Sequence, residues 1–215
     1  MVLCHYMLTG LRCLDSCRRA RIPMIIHCHG YDAHTTFAKK QWIDAVHEIG
    51  EYAHKIIAVS NTMIAALKEA GFPSEKIIHR PYGIDLERFG FSSRKSTKPV
   101  FTSVGRFIDK KAPHLLLMAF RKVLEQRPDA RLEMIGDGPL LSPCYDLISE
   151  WNMQHAIDLA GVLPPSEVAE RLRCSRAFVQ HSISPKVGFL EGDHEGTPVA
   201  ILEAAASGLP IVATR

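Results

Sequence analysis

The stretch EGTPVAILEAAASGLPIV, residues 195–212, reads as a helix, its stop and the strand that follows. Thr197 has the chemistry of an N-cap and Pro198 suits the first helical position. Gly208 with Pro210 ends the helix before a β-branched run, Pro210 to Ala213. A helix feeding directly into an apolar strand is half of a βαβ crossover, so the segment predicts a parallel sheet wrapped by helices.

Working outward, the same alternation fills the chain. Upstream, strands are expected at 100–104, 131–135, 157–160 and 177–180, with helices near 112–126, 140–151 and 166–173 between them. In the first half, strands are expected at 2–5, 23–28, 55–59 and 76–79. The helices between them fall near 8–19, 40–53 and 62–70, the last closed by Gly71 and Pro73. Residues 89–98, FGFSSRKSTK, turn polar and lose the apolar period, which predicts a linker there. The fold class is therefore α/β, with two Rossmann-like, doubly wound parallel-sheet domains. The expected division is 1–88, linker 89–98 and 99–215. A final strand without a covering helix suggests that both domains are incomplete.

Composition narrows the function. The 215 residues are 47% hydrophobic and carry a net charge of +3, too mild for a nucleic-acid groove. No apolar run approaches the roughly 20 residues of a spanning helix, and the first residues lack the basic region of a signal peptide. Cysteines at 4, 13, 17, 28, 144 and 174 lack Cys-x-x-Cys spacing, which fits reduced thiols in a cytoplasmic protein. The segment bearing Met7, Leu8, Leu11 and Leu14 before Arg18 and Arg19 has a membrane-surface reading, at the inner face of a membrane. Burial against the sheet is favoured for a crossover helix.

Several strand ends carry candidate chemistry. At Gly105-Arg106 a strand stops in glycine and presents cations, with Lys111 beside the next helix. Ligands of open α/β sheets bind at such carboxyl ends, and Arg106 has the fork geometry for a pyrophosphate while Lys111 adds a point charge. A solvated surface loop is the alternative, and the segment is not a Walker loop. Gly136-Asp137-Gly138 closes a neighbouring strand but fails the dinucleotide fingerprint at Leu141, so an ordinary tight turn competes with ligand contact. The helix near 199 would offer amides of Thr197, Val199 and Ala200 to an anion; Glu195 precedes it and Glu203 lies on it, where both carboxylates in solvent is the plain alternative. His29 follows a strand beside Gly30, close enough for backbone approach to a ligand. The run His27-Cys28-His29, with His34 nearby, raises a metal, but alternation along a strand argues against it, and neither a metal nor a cofactor is expected.

Taken in order, His29-Gly30-Tyr31-Asp32, Ala58-Val59-Ser60, Pro81 to Asp85, Gly105-Arg106 with Lys111, Ile135 to Gly138 and Glu195 to Pro210 resemble the retaining glycosyltransferase family 4, whose members have the GT-B fold. That resemblance implies transfer of a sugar, with retention, from a nucleoside-diphosphate donor to a saccharide or lipid-linked acceptor of polysaccharide or glycolipid synthesis. It implies that Arg106 and Lys111 clamp the pyrophosphate, aided by Gly136 and Gly138 and by the amides of Thr197, Val199 and Ala200. Glu203 would hold the ribose, Glu195 would face the sugar, and His29 would lie near the reacting centre. The sequence departs from the family pattern at Tyr82, Ala112 and His181, and no counterpart of the family's opening glycine-rich element precedes Met1. A nucleotide-sugar-binding chain without catalysis, or an epimerase or phosphorylase of similar fold, stands as the alternative.

Overall fold

The computed structural model describes residues 1–30, 32, 43–91, 99–183 and 198–214. They divide into two compact units, each built on a parallel sheet. Met1–Gly83 belong to the first; Ile84–Ile183 and the segment from Pro198 belong to the second.

In the first unit, β1 (Val2–His5), β2 (Met24–His27), β3 (Lys55–Ala58) and β4 (Ile77–His79) lie side by side in chain order, all parallel. Between them run α1 (Met7–Ala20), α2 (Ile43–Tyr52) and α3 (Asn61–Glu69). The order follows from the expected βαβαβαβ pattern. Strand limits shift from expectation by no more than a residue or two.

Helix α1 buries Met7, Gly10, Leu14 and Cys17 at helical spacing. They meet Cys4, Met24, Ile26 and Ile56 of the sheet and Met63 and Leu67 of α3 in one core. Arg18, at the end of α1, pairs with Glu48 and lies over the Tyr52 ring of α2, 5.6 Å from its centre. Met7 and Leu14 of the apolar stripe are therefore used inside the unit, the burial favoured for a crossover helix. Helix α3 starts at Ser60, whose hydroxyl accepts from Met63 N–H at 3.2 Å.

The second unit opens earlier than the polar run at 89–98 suggests. Asp85 caps a short helix, α4 (Leu86–Phe89), by accepting from the N–H groups of Glu87 and Arg88. Phe89, expected in the linker, is buried in this unit's core, and Ser207 Oγ donates to its carbonyl. A four-residue helix is too short to show a period, which is why the pattern missed it; residues 92–98 lie outside the described residues.

The sheet of this unit has strands β5 (Val100–Val104), β6 (Arg131–Ile135), β7 (Ile157–Gly161), β8 (Ala177–Gln180) and β9 (Ile211–Ala213) in the order β7-β6-β5-β8-β9. All pairs are parallel. Helices α5 (Pro113–Gln126), α6 (Leu141–Glu150), α7 (Pro165–Cys174) and α8 (Val199–Ala206) link them.

Alternation along β6 sends Leu132 and Met134 into a core with Leu117, Phe120 and Ile148, and sends Ile135 into another with Leu172, Phe178 and Ala204. Both faces of the sheet are thus covered, as a parallel sheet requires. Helix α8 begins at Val199, with Pro198 before it and no side-chain cap. Pro198, expected at the first helical position, instead stands just before it, and Thr197, the expected cap, lies outside the described residues. Among the described residues no helix is long and apolar enough to cross a membrane. All six cysteines are free thiols.

Candidate functional site

The strand order of the second unit reverses direction between β5 and β8. Chain connections leave β5 toward β6 and β7 on one side, then return to β8 and β9 on the other. Such a switch parts the loops at the carboxyl edge and leaves a crevice there. Arg106 and Lys111 both line a recess at this edge, with Ser103, Gly105, Gln180 and His181. Arg106 is exposed and Lys111 half-buried. The loop after β8 is tied to the cationic segment by Ile183 N–H donating to the Lys110 carbonyl at 2.8 Å.

Two polar atoms at the recess are left over. Gln180 Oε1 and His181 Nδ1 are buried without a hydrogen-bond partner, a state that favours a polar ligand. Burial lowers the His181 pKa, with His114 acting in the same direction, so the ring is held neutral. The sequence marked His181 only as a departure from a family pattern. Its position at the end of the strand beside the cations was legible only once β8 was known to neighbour β5.

Gly136 and Gly138 have a structural reason of their own. Gly136 has φ +139°, and a Cβ there would lie 2.0 Å from the Gly105 carbonyl oxygen; at Gly138, φ +152°, it would lie 2.5 Å from that of Phe107. The two loops are stitched by Gly105 N–H to Ile135 O at 2.9 Å, Phe107 N–H to Asp137 O at 2.8 Å and Leu140 N–H to Phe107 O at 2.9 Å. The glycines therefore let the loop after β6 press its backbone against the loop that carries Arg106. Neither glycine lines the recess.

Helix α8 runs back from the same carboxyl edge to β9, so its first amides, Val199 and Ala200, sit at that edge. Glu203 lies a turn further along, half-buried; burial raises its pKa, with Arg88 opposing. It does not line the recess with Arg106 and Lys111. Glu195 and Thr197 lie outside the described residues.

In the first unit, His29 follows β2 and is held from three directions. Asp32, fully buried, accepts from His29 N–H at 2.8 Å through Oδ2 and from Met7 N–H at 2.9 Å through Oδ1. Tyr82 Oη lies 2.6 Å from His29 Nδ1, and His5 Nδ1 lies 3.0 Å from His29 Nε2. Tyr6, with φ 70°, brings its ring to 4.6 Å from that of His29.

Burial first, then the neighbouring His27 and His5, lower the His29 pKa to about 4, so the ring is neutral at physiological pH. Burial raises Asp32 to about 6 against the two amides that stabilise its charge. The sequence singled out His29 and placed Asp32 in the matching motif, but not Asp32's role as the anchor of both backbone segments.

The alternation argument against a metal needs correction. It separates Cys28, wholly buried in the core, from its neighbours, but residues two apart share a face. His27 and His29 lie with ring centres 4.5 Å apart. Parallel register sets His5 of β1 against His27 of β2. One nitrogen from each of His5, His27 and His29 lies within 4.8 Å of the others. His34 lies outside the described residues.

Comparison with known proteins agrees with this architecture. The family model described as glycosyl transferases group 1 matches residues 86–215, and that of glycosyltransferase family 4 matches residues 1–88. The amylovoran biosynthesis glycosyltransferase AmsK of Erwinia amylovora is 28% identical over 193 residues, covering 89% of this chain and 43% of its own length. The UDP-Gal:alpha-D-GlcNAc-diphosphoundecaprenol alpha-1,3-galactosyltransferase of Escherichia coli is 26% identical over 232 residues, covering 98% of this chain and 56% of its own.

The chain thus spans about half the length of the curated relatives it matches. The crystal structure of Anabaena HepE in complex with UDP and glucose superposes with a TM-score of 0.78 at 17% identity, over 98% of this chain and 58% of HepE. That likeness identifies the fold as GT-B, two parallel-sheet Rossmann-like sets.

Proposed function

The chain belongs to the glycosyl transferases group 1 family, and from that membership we propose that it binds a nucleoside-diphosphate sugar and takes part in transferring the sugar, with retention, to a saccharide or lipid-linked acceptor. The observation that carries the reading is the pair Arg106 and Lys111 on one recess at the switch point of the second sheet. A diphosphate needs fixed positive charge, and this edge also presents the start of α8. The relatives named for polysaccharide and diphosphoundecaprenol-linked sugar transfer support the acceptor class. HepE, crystallised with UDP and glucose, supports the donor class.

The chemistry then follows from charge. Breaking the bond between the anomeric carbon and the diphosphate oxygen leaves negative charge on the departing nucleoside diphosphate. Arg106, Lys111 and the amides of Val199 and Ala200 stabilise that charge, so the reading needs no metal on the donor. Glu203 is assigned to the ribose hydroxyls, Thr197 to the phosphate-binding amides and Glu195 to the transferred sugar. Gly136 and Gly138 act on the donor by holding the Arg106 loop. His29, whose backbone is held by Asp32 and whose neutral ring meets Tyr82, is assigned to a sugar hydroxyl; a neutral imidazole both donates and accepts without adding charge near a cationic transition state.

The test uses the full-length protein. Calorimetry with a nucleoside diphosphate should show binding that Arg106→Ala and Lys111→Ala each weaken, by ~2–5 kcal/mol if the charge contact is buried by the ligand. Glu203→Ala should weaken the same binding, whereas Glu195→Ala should leave it and depress turnover instead. Binding left intact by both cation variants overturns the clamp. Binding without any transfer leaves a nucleotide-sugar-binding protein in place of a transferase.

A further inference from the structure

Three imidazoles converge at the carboxyl edge of the first sheet, and the reading of His29 as a sugar contact accounts for only one of them. The geometry points to a second use: His5, His27 and His29 form a three-histidine site for a divalent ion of the zinc, cobalt and nickel class, and occupancy withdraws His29 from the sugar.

The argument begins with the backbone. Parallel pairing of β1 with β2 sets His5 directly against His27, and the two-residue repeat returns His29 to the same side. The ring centres are separated by 5.1 Å for His5 and His27, 4.5 Å for His27 and His29 and 5.3 Å for His5 and His29.

Spacing fits the ion. Two nitrogens on one tetrahedral zinc, each about 2.0–2.1 Å from it, lie about 3.3 Å apart. His5 Nδ1 and His29 Nε2 are 3.0 Å apart, and none of the three ligand separations exceeds 4.8 Å, so binding needs His27 and its partners to close by about 1.5 Å at most. Three imidazoles with an open remaining position suit borderline divalent ions rather than magnesium or calcium, which prefer oxygen.

Two further observations point to a ligand. His27 Nε2 is buried and has no hydrogen-bond partner. Buried nitrogens in that state are uncommon, and a bound ion on this side of the strand would explain why a histidine stands there. Tyr82 meanwhile lies 2.6 Å from His29 Nδ1. With an ion on Nε2, Nδ1–H donates to the phenol oxygen, the outer-shell contact that fixes ring and tautomer at histidine-bound metals. His5, which holds the other end of the 3.0 Å contact, must then carry its proton on Nε2, a change its exposure to water permits.

Occupancy competes with the proposed catalysis. An ion on His29 Nε2 takes the lone pair that a sugar hydroxyl would use, so the site acts as a brake on the transferase. That consequence rests on the proposed role of His29; the binding itself does not.

The test is calorimetric titration of the tag-free chain with zinc ion alone. One ion per chain should bind, and His5→Gln and His27→Gln should each weaken it by more than about tenfold, since even outer-shell partners are worth about tenfold to a hundredfold. His155→Gln, an exposed histidine of the other unit, should leave it unchanged. Imidazole 15N spectra of the unaltered chain, which need no variant to fold, should show three rings shifting together on zinc addition.

In the full-length enzyme, zinc should inhibit transfer reversibly on chelation, and His5→Gln should relieve that inhibition. No stoichiometric binding, three rings that do not shift together, or affinity indifferent to both His5→Gln and His27→Gln overturns the site. Binding as expected with transfer unaffected by zinc instead removes His29 from the sugar and leaves the metal site standing.

Discussion

The two carboxyl edges hold their candidate residues by opposite means. In the first unit the edge is organised by side chains: Asp32 bridges two backbone amides, Tyr82 meets His29, and His5 reaches across from the next strand. In the second unit it is organised by the main chain, with loop pressed on loop at Gly136 and Gly138 and the cations carried on top. The difference follows from what each edge presents. A ring needs its tautomer and orientation set by polar partners, whereas two flexible cations need only a rigid loop beneath them.

The comparison breaks most easily at the backbone contact. Gly136→Ala sets a Cβ into the Gly105 carbonyl at a φ that alanine disfavours, and should destabilise the second unit by roughly 3–5 kcal/mol. Calorimetric melting checks it; a variant as stable as the parent would mean that the loops are not locked together.

The side-chain edge should yield next. Asp32→Ala leaves the N–H groups of Met7 and His29 without their acceptor and should lower the stability of the first unit by roughly 2–3 kcal/mol. Its pH dependence sharpens the point. Burial and the neighbouring histidines lower His29 to about 4 in the folded chain from its ordinary 6.5, so the unfolded chain binds more protons between those values and stability falls as pH drops through that window.

Asp32 titrates at about 6 against 3.8, so the folded chain binds the extra proton and stability rises on acidification through its window. The two slopes oppose each other between about pH 4 and 6. Asp32→Ala removes the compensating slope, so the gap between parent and variant should widen as pH falls from 6 toward 4. A gap that narrows would show that Asp32 is not held protonated by burial.

The smallest effect belongs to Tyr82→Phe, which removes one hydrogen bond at His29 Nδ1 and should lower stability by about 1 kcal/mol in chemical denaturation. Imidazole 15N spectra should show a mixture of His29 tautomers where the parent shows one. A single tautomer in the variant would mean that the His5 contact at Nε2 suffices to fix it.

What the sequence revealed differs between the edges for the same physical reason. The strands at Val2–His5, Val100–Val104, Arg131–Ile135 and Ala177–Gln180 are where the apolar runs put them, and in the last three burial in the sheet explains that signature. Arg106 and Lys111 were legible because glycine followed by cations at a strand end is a local pattern. The histidine cluster was not, since His5 and His27 meet only through strand register, and register is not written in either segment alone. Gly136 and Gly138 carried two readings, tight turn and ligand contact, and neither named the backbone of another loop that presses on both. Helix α4, one turn long, shows no period and shares only Phe89 with the polar run, and the start of α8 moved by one residue because Pro198 precedes the helix.

The packing of α4 also sets a timetable for synthesis. In the first unit each strand pairs with the one made just before it, so its sheet can be laid down as the chain leaves the ribosome. In the second unit, Phe89 shares a core with Ala204 and takes a hydrogen bond from Ser207, 118 residues further on. Until α8 has emerged from the exit tunnel, Phe89 and the apolar faces of β6, β8 and α7 have no complete core to enter. One face of the second sheet is therefore left unfinished until α8 is made, while the core on the other face, from Phe107 to Ile157, needs nothing from that helix.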